Sequence, residues 1–218
     1  MIDVNNVIQS VYEGKVVAIL RGVREDQLIP IAEALYAGGI RMIECTFDHS
    51  RADCIEANCR MISMLAEHFA GRMHVGAGTV LTAEEAEAAV RAGGEFIISP
   101  NVDEKVIART RELGAVSMPG ALTPTEIVNA WKAGAHFVKV FPAGDLGVSY
   151  MKSVRAPLRH IPMLAVGGIT PENIPDFIKA GACGFGVGSP LLPSDAVEKG
   201  DYEAIARRAA QFVEAAKR

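Results

Sequence analysis

Short apolar runs rich in β-branched residues alternate with amphipathic runs along the whole chain, and this alternation restricts the fold more than any other feature. Eight apolar runs are predicted to be strands: Val16–Gly22, Met42–Phe47, His74–Val80, Phe96–Asn101, Val116–Leu122, Phe137–Ala143, Met163–Ile169 and Gly184–Ser189. Dividing 218 residues among eight units gives about 27 residues each, the size of a strand–loop–helix–loop module.

The runs between the strands carry helix signals. Apolar residues recur with helical spacing over Asp26–Tyr36. Helices are predicted to begin at Thr82 and Thr123, because each threonine is followed three residues later by a glutamate, the pattern of a capping box. Residues 3–13 predict an extra N-terminal helix, and Tyr202–Lys217 predicts the last helix.

Eight strand–helix units predict an α/β fold, namely a (β/α)₈ TIM barrel with an extra N-terminal helix. An open, doubly wound parallel sheet is the competing arrangement. No linker rich in proline, serine or charge divides the chain, so we expect a single domain over residues 1–218.

Composition narrows the function classes. The formal net charge of −4 argues against a dedicated nucleic-acid binder and against a basic helix that binds membranes. The first residues lack the order of a signal peptide, so we expect a cytoplasmic protein whose four cysteines are free thiols. A small molecule is the expected partner, with neither nucleic acid nor membrane.

Two charged residues, Glu44 and Lys139, each interrupt an apolar strand. A charge inside a barrel is costly to desolvate. A buried ion pair without chemistry would explain both residues, but such pairs do not reliably stabilise a fold. A functional role is therefore favoured. Thr46 lies two residues after Glu44, so it faces the same way and joins the candidate site.

A lysine surrounded by apolar side chains loses hydration, which lowers its pKa and exposes a neutral amine. A neutral amine can attack a ketone and form a Schiff base, whose iminium accepts electrons when a neighbouring carbon–carbon bond breaks. A nearby carboxylate can then move protons. Because Glu44 would favour the charged form of Lys139, the sequence leaves open which effect dominates.

Glycines lie at the ends of the last two predicted strands. The seventh carries Gly167 and Gly168 near its end, and the eighth ends with Gly186, Val187, Gly188 and Ser189. Loops at these places in TIM barrels often bind phosphate, since backbone N–H groups approach an anion closely only where side chains are absent. The alternative is that these glycines only form tight turns. Two clusters on successive strands favour a phosphate site.

The ends of other strands offer weaker candidates. Arg21 ends the first strand, where its guanidinium could hold a carboxylate or simply be solvated. Thr79 could add a hydroxyl or only form a turn. Asp48 and His49 could suggest a divalent metal, but the histidines show no ligand spacing, so we expect no metal and no cofactor.

Taken together, the strand ends resemble one family. The residues that carry the likeness are Ala18-Ile-Leu-Arg-Gly22, Ile43-Glu-Cys-Thr-Phe47, Gly76-Ala-Gly-Thr-Val80, Ile98-Ser-Pro-Asn101, Met118-Pro-Gly120, Val138-Lys-Val-Phe-Pro142, Ala165-Val-Gly-Gly-Ile169 and Gly186-Val-Gly-Ser189. In that order they are similar to the KDPG/KHG aldolases, the class I aldolases of 2-keto-3-deoxy-6-phosphogluconate and 4-hydroxy-2-oxoglutarate. The resemblance covers nearly the whole chain.

The resemblance implies a metal-independent homotrimer of (β/α)₈ barrels that cleaves a phosphorylated keto acid to pyruvate and an aldehyde. It implies Lys139 as the Schiff-base lysine and Glu44 as the acid/base. The binding residues that it implies are Arg21 and Thr79 for the carboxylate, Pro100 and Phe141 for the pocket wall, and Gly167, Gly168 and Ser189 for the phosphate, with Gly188 beside them.

Two departures bear on the substrate. Many members carry an arginine shortly after the E-x-T motif, where this chain has Phe47-Asp-His49. Binding of the substrate carboxylate would therefore depend on Arg21. Others carry threonine before Gly-Gly, where this chain has Val166. Valine cannot hydrogen-bond a substrate hydroxyl, and one such contact can reverse a preference between epimers. A 6-phosphogalactonate-type substrate is therefore as plausible as the gluconate type.

Other functions fit parts of the pattern. A phosphate-binding barrel that acts as an epimerase or decarboxylase would form no pyruvate adduct on Lys139. A non-catalytic sugar-phosphate sensor would keep the glycine site without needing that lysine. A metal-dependent aldolase would lose activity in EDTA.

Overall fold

The protein, described here from a computed structural model that covers residues 2–217, folds around one nine-stranded parallel sheet curved into a barrel. The strands are β1 Val16–Leu20, β2 Met42–Thr46, β3 His74–Gly78, β4 Phe96–Ile98, β5 Val116–Met118, β6 Gly120–Ala121, β7 Val138–Val140, β8 Met163–Val166 and β9 Gly184–Val187. Their order around the sheet is β5-β4-β3-β2-β1-β9-β8-β7-β6. The predicted TIM-type barrel is confirmed.

Helices connect the strands and surround the barrel. They are α1 Val4–Gly14, α2 Glu25–Ala37, α3 Cys54–His68, α4 Ala83–Arg91, α5 Glu104–Glu112, α6 Pro124–Lys132, α7 Ala143–Arg155, α8 Ile174–Lys179, α9 Ser194–Lys199 and α10 Tyr202–Lys217, with a 3₁₀ turn at Ser189–Leu191. Both predicted capping boxes are present, at Thr82 and Thr123. None of the helices within residues 2–217 combines the length and apolarity needed to cross a bilayer.

The predicted fifth strand is observed as two segments, β5 and β6, separated by Pro119. Proline has no N–H group to donate to a ladder, so the strand is interrupted there. β5 pairs with β4 and β6 pairs with β7. The barrel closes across this break because Phe137 N–H donates to the Ser117 carbonyl at 3.3 Å and Lys139 N–H to the Pro119 carbonyl at 2.9 Å.

The predicted strands extend too far at their carboxyl ends. The seventh and eighth of them were expected to include Gly167, Gly168, Gly188 and Ser189, whereas β8 ends at Val166 and β9 at Val187. Gly167 and Gly168 have φ of 88° and 66°, which no strand residue adopts. These residues therefore form loops at the carboxyl ends of the strands, the end of a barrel where sites are built.

Two apolar cores follow from the alternation of side chains along each strand. The outward side chains of the strands pack against the surrounding helices in the larger core. The inward side chains form a second core inside the barrel, made of Val17, Met42, Phe96, Ile98, Val116, Met118, Phe137, Leu164 and Val166 together with Val7 and Val11 of α1.

The N-terminal helix α1 closes the amino end of the barrel. Its Val7 and Val11 are 0% and 1% exposed and belong to the core inside the barrel. Asp3 caps the helix by accepting a hydrogen bond from the Asn6 N–H at 3.1 Å. The predicted extra helix is thus the floor of the barrel.

Candidate active site

A cavity of about 800 Å³ opens at the carboxyl ends of the strands. All but one of the predicted site residues line it, namely Arg21, Glu44, Thr79, Pro100, Lys139, Phe141, Val166, Gly167, Gly168, Gly188 and Ser189. They come from the ends of seven strands or the loops that follow. The barrel therefore gathers residues that are far apart in the sequence.

Glu44 is the more deeply buried of the two charged residues, with 2% exposure. Within residues 2–217 its Oε2 atom has no hydrogen-bond partner. Gly78 makes room for the carboxyl group, since a Cβ there would lie 2.6 Å from Glu44 Oε1. Burial raises the pKa of Glu44 to about 7, although Lys139 and then Arg21 oppose the shift. The carboxyl group can therefore exchange a proton near neutral pH.

Lys139 is central in β7 and 8% exposed. Burial lowers the pKa of its amine; Glu44 opposes this shift and Arg21 adds to it. No atom pair in the described residues brings the amine and the Glu44 carboxylate within the 4.0 Å of an ion pair. A close ion pair therefore does not explain the two residues, and burial shifts the amine toward its neutral form.

Phe141 forms part of the apolar wall over the lysine. The Lys139 Nζ atom lies 4.9 Å from the centre of the Phe141 ring. Phe141 is 38% exposed, and Pro100, which follows the fourth strand, lines the same cavity. Apolar groups on this side keep water away from the amine, which favours its neutral form.

Arg21 and Thr79 line the same cavity as the two ionisable groups. Arg21 is exposed, and its charge acts on both Glu44 and Lys139. Thr79 has φ of 60°, a left-handed conformation that is rare for a threonine and occurs most often at functional sites.

Glycines shape the far end of the cavity. Gly144, near the start of α7, donates its N–H to the Gly167 carbonyl at 2.8 Å. A Cβ on Gly144 would lie 2.6 Å from the Gly168 Cα, and one on Gly168 would lie 3.0 Å from the Gly144 Cα. Side chains are thus excluded from this corner. Ser189 begins the 3₁₀ turn beside it and is exposed to the cavity.

The comparisons with known proteins agree with this geometry. The family model for KDPG and KHG aldolase matches residues 7–208. A 2-dehydro-3-deoxy-6-phosphogalactonate aldolase from Escherichia coli is 34% identical over 91% of this chain and 93% of its own length. A 2-dehydro-3-deoxy-phosphogluconate aldolase from Treponema pallidum is 33% identical over 88% of each chain. This chain belongs to the KDPG and KHG aldolase family.

A solved structure of a relative supports the same assignment. The protein described as "Native KDPGal structure" is 34% identical, covers 93% of this chain and 94% of its own, and superposes with a TM-score of 0.82. The predicted family is confirmed, and the chain is an aldolase, a lyase of the class I type that forms pyruvate and an aldehyde.

Thr46 is the one predicted residue that this aldolase does not bring to the cavity lining. Its hydroxyl donates instead to the Leu20 carbonyl at 3.0 Å, tying β2 to β1. Strand alternation predicted that Thr46 faces the cavity, but Thr46 is the last residue of β2, and its side chain hydrogen-bonds to the backbone of the neighbouring strand instead.

Asp48 and His49, the weak candidates for a metal site, contact other side chains. His49 contacts Glu85 at 2.9 Å, and Asp48 accepts hydrogen bonds from Ser50. No group of three potential ligands that could hold a metal occurs among residues 2–217.

Several lining residues of the aldolase were missed from the sequence. Ile19, Ile169, Val187 and Leu192 are apolar and carry no signal that separates them from core residues. Ser194, Val197 and Glu198 come from the short helix α9, which folds over the cavity from beyond the last strand. Only the tertiary structure reveals that this helix reaches the site.

Proposed function

We propose that this aldolase cleaves a 2-keto-3-deoxy-6-phospho sugar acid of the galactonate or gluconate type to pyruvate and glyceraldehyde 3-phosphate. Activity on 4-hydroxy-2-oxoglutarate is part of the same proposal. Support comes from the relatives named for the two phosphorylated substrates, which are 34% and 33% identical to this chain. The observation that carries the proposal is a buried lysine with a lowered pKa inside the cavity.

Lys139 is the nucleophile of the proposed reaction. Its neutral amine attacks the C2 ketone, and loss of water gives an iminium. As the C3–C4 bond breaks, its electrons move into the iminium and form an enamine, while the aldehyde leaves. The enamine takes a proton at C3, and water then releases pyruvate and restores the amine. The apolar surroundings of Lys139 favour the neutral amine that this sequence requires.

Glu44 is the proposed acid/base. Its carboxylate removes the C4 hydroxyl proton as the bond breaks, either directly or through a water molecule. A pKa of about 7 lets the same carboxyl group return a proton later in the cycle. The Oε2 atom without a partner among residues 2–217 supports this role, because an unsatisfied buried oxygen is free to accept a hydrogen bond from a substrate.

The two ends of the substrate would be held apart. Arg21 and Thr79 bind the carboxylate near the lysine, where Arg21 offers a planar fork of donors. Gly167, Gly168 and Ser189 bind the phosphate through the backbone and a hydroxyl, with Gly188 beside them. Pro100, Phe141 and Val166 shape the wall between these ends. Binding at both ends orients the C3–C4 bond for cleavage.

The assembly and location are also part of the proposal. We infer one domain over residues 1–218, a homotrimer and a cytoplasmic location. A single sheet that runs from β1 to β9 supports the first. Exposed apolar side chains at Leu81 and Leu122, both on the carboxyl-end loops, support association of copies. Light scattering after size exclusion tests the trimer, and a mass of one or two chains overturns it.

Borohydride trapping tests the reaction. The protein is incubated with pyruvate, reduced with sodium borohydride and analysed by intact and peptide mass spectrometry. We expect a reduced pyruvate adduct on the peptide that contains Lys139, and none on the peptide that contains the exposed Lys179. Folded protein without an adduct would overturn the Schiff-base mechanism and favour an epimerase or a sensor. Loss of cleavage in EDTA would favour a metal-dependent aldolase.

A further inference from the structure

Two hydrogen bonds from outside the glycine loop, residues 167–170, hold the carbonyl groups of Gly167 and Gly168. The Gly167 carbonyl accepts a hydrogen bond from the Gly144 N–H at 2.8 Å. The Gly168 carbonyl accepts one from the side-chain amide of Asn173 at 2.9 Å. The directions of two successive peptide units in this loop are therefore fixed by residues that follow β7 and the loop itself.

The fixed carbonyl groups also determine where the N–H groups of the loop point. Both peptide units are trans, and a trans unit directs its C=O and its N–H to opposite sides. The bond to Gly144 therefore turns the Gly168 N–H away from the start of α7. The bond to Asn173 likewise turns the Ile169 N–H away from the Asn173 side chain.

These two N–H groups are available to a ligand. Neither the Gly168 N–H nor the Ile169 N–H donates to a backbone or side-chain acceptor among residues 2–217. Gly168 and Ile169 both line the cavity. Successive free N–H groups in a turn form a concavity that binds anions, as a phosphate site requires.

The side chain of Asn173 bonds to the glycine loop rather than to the helix that follows it. Asn173 directly precedes α8, yet its side chain makes no capping hydrogen bond with that helix. Its Oδ1 atom accepts the Thr170 N–H at 2.9 Å, while its Nδ2 donates to the Gly168 carbonyl. The two partners fix the orientation of the amide, because an N–H group needs the oxygen and a carbonyl needs the NH₂ group. The side chain therefore spans the loop from Gly168 to Thr170.

We propose that Asn173 is a positioning residue that holds the Gly168–Ile169 peptide in the orientation that offers its N–H to the substrate phosphate. Asn173 does not itself line the cavity, so it acts through the loop. Hydrogen bonds to a charged acceptor are strong, and their strength falls steeply when the donor is misdirected. The proposal rests on the proposed function, because it takes the glycine loop as the phosphate site. Loss of Asn173 should therefore weaken phosphate binding and leave the chemistry at Lys139 unchanged.

The test compares Asn173→Ala with a matched control, Asp103→Ala. Asp103 also stands directly before a helix, α5, and its side chain accepts the N–H groups of Lys105 and Val106. It does not line the cavity. Each variant thus removes two hydrogen bonds between a side chain and the backbone where a loop enters a helix, but only one of them touches the glycine loop.

The measured reaction is the addition of pyruvate to D-glyceraldehyde 3-phosphate and to D-glyceraldehyde. We expect Asn173→Ala to lower kcat/KM for the phosphorylated aldehyde by about fivefold to twentyfold, mainly through KM, as for one weakened hydrogen bond to a charged group. The value for D-glyceraldehyde should stay within about twofold, and both values should do so in Asp103→Ala. Borohydride should trap pyruvate on Lys139 equally in all three proteins.

A ratio between the two aldehydes that is unchanged in folded Asn173→Ala would overturn the proposal. Equal losses with both aldehydes would also overturn it, because they would show that Asn173 only stabilises the fold. Thermal melts identify the folded variants.

A second variant, Asn173→Asp, keeps the test available if Asn173→Ala does not fold. It keeps an acceptor for the Thr170 N–H and loses only the donor to the Gly168 carbonyl. It should lower the same ratio relative to wild type, and the loss should persist at 1 M salt, where the Debye length is about 3 Å and the added charge is screened. A loss that disappears at 1 M salt would reflect the new charge alone and would overturn the proposal.

Binding of inorganic phosphate separates this proposal from the proposed function. If wild type adds neither aldehyde to pyruvate, the proposed function fails, but calorimetric titration with inorganic phosphate still measures the glycine loop. Weaker phosphate binding by Asn173→Ala than by wild type and Asp103→Ala would then support the positioning role. Equal dissociation constants in all three proteins, or no phosphate binding by wild type, would overturn it.

Discussion

The floor of the barrel, next to α1, and its mouth, at the cavity, are built from successive inward-facing residues of the same strands. On β2 the inward side chain changes from Met42 to Glu44, and around β7 it changes from Phe137 to Lys139. The floor residues are at most 1% exposed and wholly apolar. Two residues further along, the mouth holds ionisable groups at 2% and 8% exposure.

This contrast separates stability from chemistry. Apolar burial at the floor contributes favourable free energy, whereas a carboxylate oxygen without a hydrogen bond in the described structure is costly at the mouth. The floor and the helix layer must therefore hold the mouth residues in unfavourable surroundings. Substitutions at the floor should mainly lower the free energy of unfolding, whereas substitutions at the mouth should mainly lower activity.

The largest effect is expected for Lys139→Met. Methionine keeps an unbranched chain of similar length but has no amine, so cleavage should become undetectable and no pyruvate adduct should form. Removing a buried charge should leave the melting temperature unchanged or raise it. Activity assays and thermal melts check both, with Lys179→Met as the exposed control. Residual cleavage above that of the uncatalysed reaction would contradict the assignment.

Glu44→Gln should reduce kcat by about 10²–10⁴-fold, the usual contribution of a general acid/base. The lysine remains, so borohydride should still trap pyruvate on Lys139, at a lower rate. A variant with full kcat would show that proton transfer runs through another group.

Phe137 and Phe141 flank Lys139 and test the contrast directly. Phe137→Ala should lower the free energy of unfolding by about 3–5 kcal/mol, because it opens a cavity in a fully buried site. Its kcat per folded molecule should fall much less. Phe141→Ala, at the mouth, should lower kcat strongly and the free energy of unfolding much less. Urea unfolding and active-site titration measure these effects, and similar stability losses in both variants would break the contrast.

The pH dependence should follow Glu44, whose pKa burial raises to about 7. Between its unfolded pKa of about 4.3 and pH 7, the unfolded chain releases this proton while the folded protein keeps it. The free energy of unfolding of wild type should therefore fall relative to Glu44→Gln as pH rises through that window, and then level off. In activity, kcat should rise toward pH 7, and this limb should vanish in Glu44→Gln. Parallel pH profiles for the two proteins would contradict the shift.

The smallest effect is expected for Val166→Thr. The two side chains have similar shape, and the new hydroxyl can hydrogen-bond the C4 hydroxyl of one epimer. One such bond is worth about 1 kcal/mol, so the kcat/KM ratio between galactonate-type and gluconate-type substrates should shift several-fold. Steady-state kinetics with both epimers measures the shift. An unchanged ratio would show that Val166 does not contact C4.

The sequence predicts the features that leave a local signal. Glu44 and Lys139 stand out because a charge inside an apolar strand is rare, and helix starts such as Thr82 stand out because capping needs particular residues in fixed order. The glycine clusters stand out because the close approach of an anion to backbone N–H groups requires residues without side chains. Together with the strand-end motifs, which indicated the family, these signals predict the barrel and half of the residues that line the cavity.

Features that depend on distant partners could not be predicted. Thr46 has the alternation of an inward-facing residue, but its hydroxyl donates a hydrogen bond to the Leu20 carbonyl of the neighbouring strand. Glu198 lies in a short polar helix that looks like an ordinary surface segment until tertiary packing carries it to the cavity. The division of the fifth strand at Pro119 does have a local cause, because proline cannot donate a hydrogen bond to a β-ladder.

The floor that α1 makes has a consequence for the sequence of events. With the amino end plugged by Val7 and Val11, the cavity is reached through the mouth, and the lysine lies at its inner end. In the proposed complex, the half of the substrate attached to Lys139 would lie beneath the half held at the glycines. We therefore expect the aldehyde to depart before pyruvate and, in the synthetic direction, pyruvate to enter first. On the proposed function, a barrel with one entrance would impose an ordered kinetic mechanism by its shape.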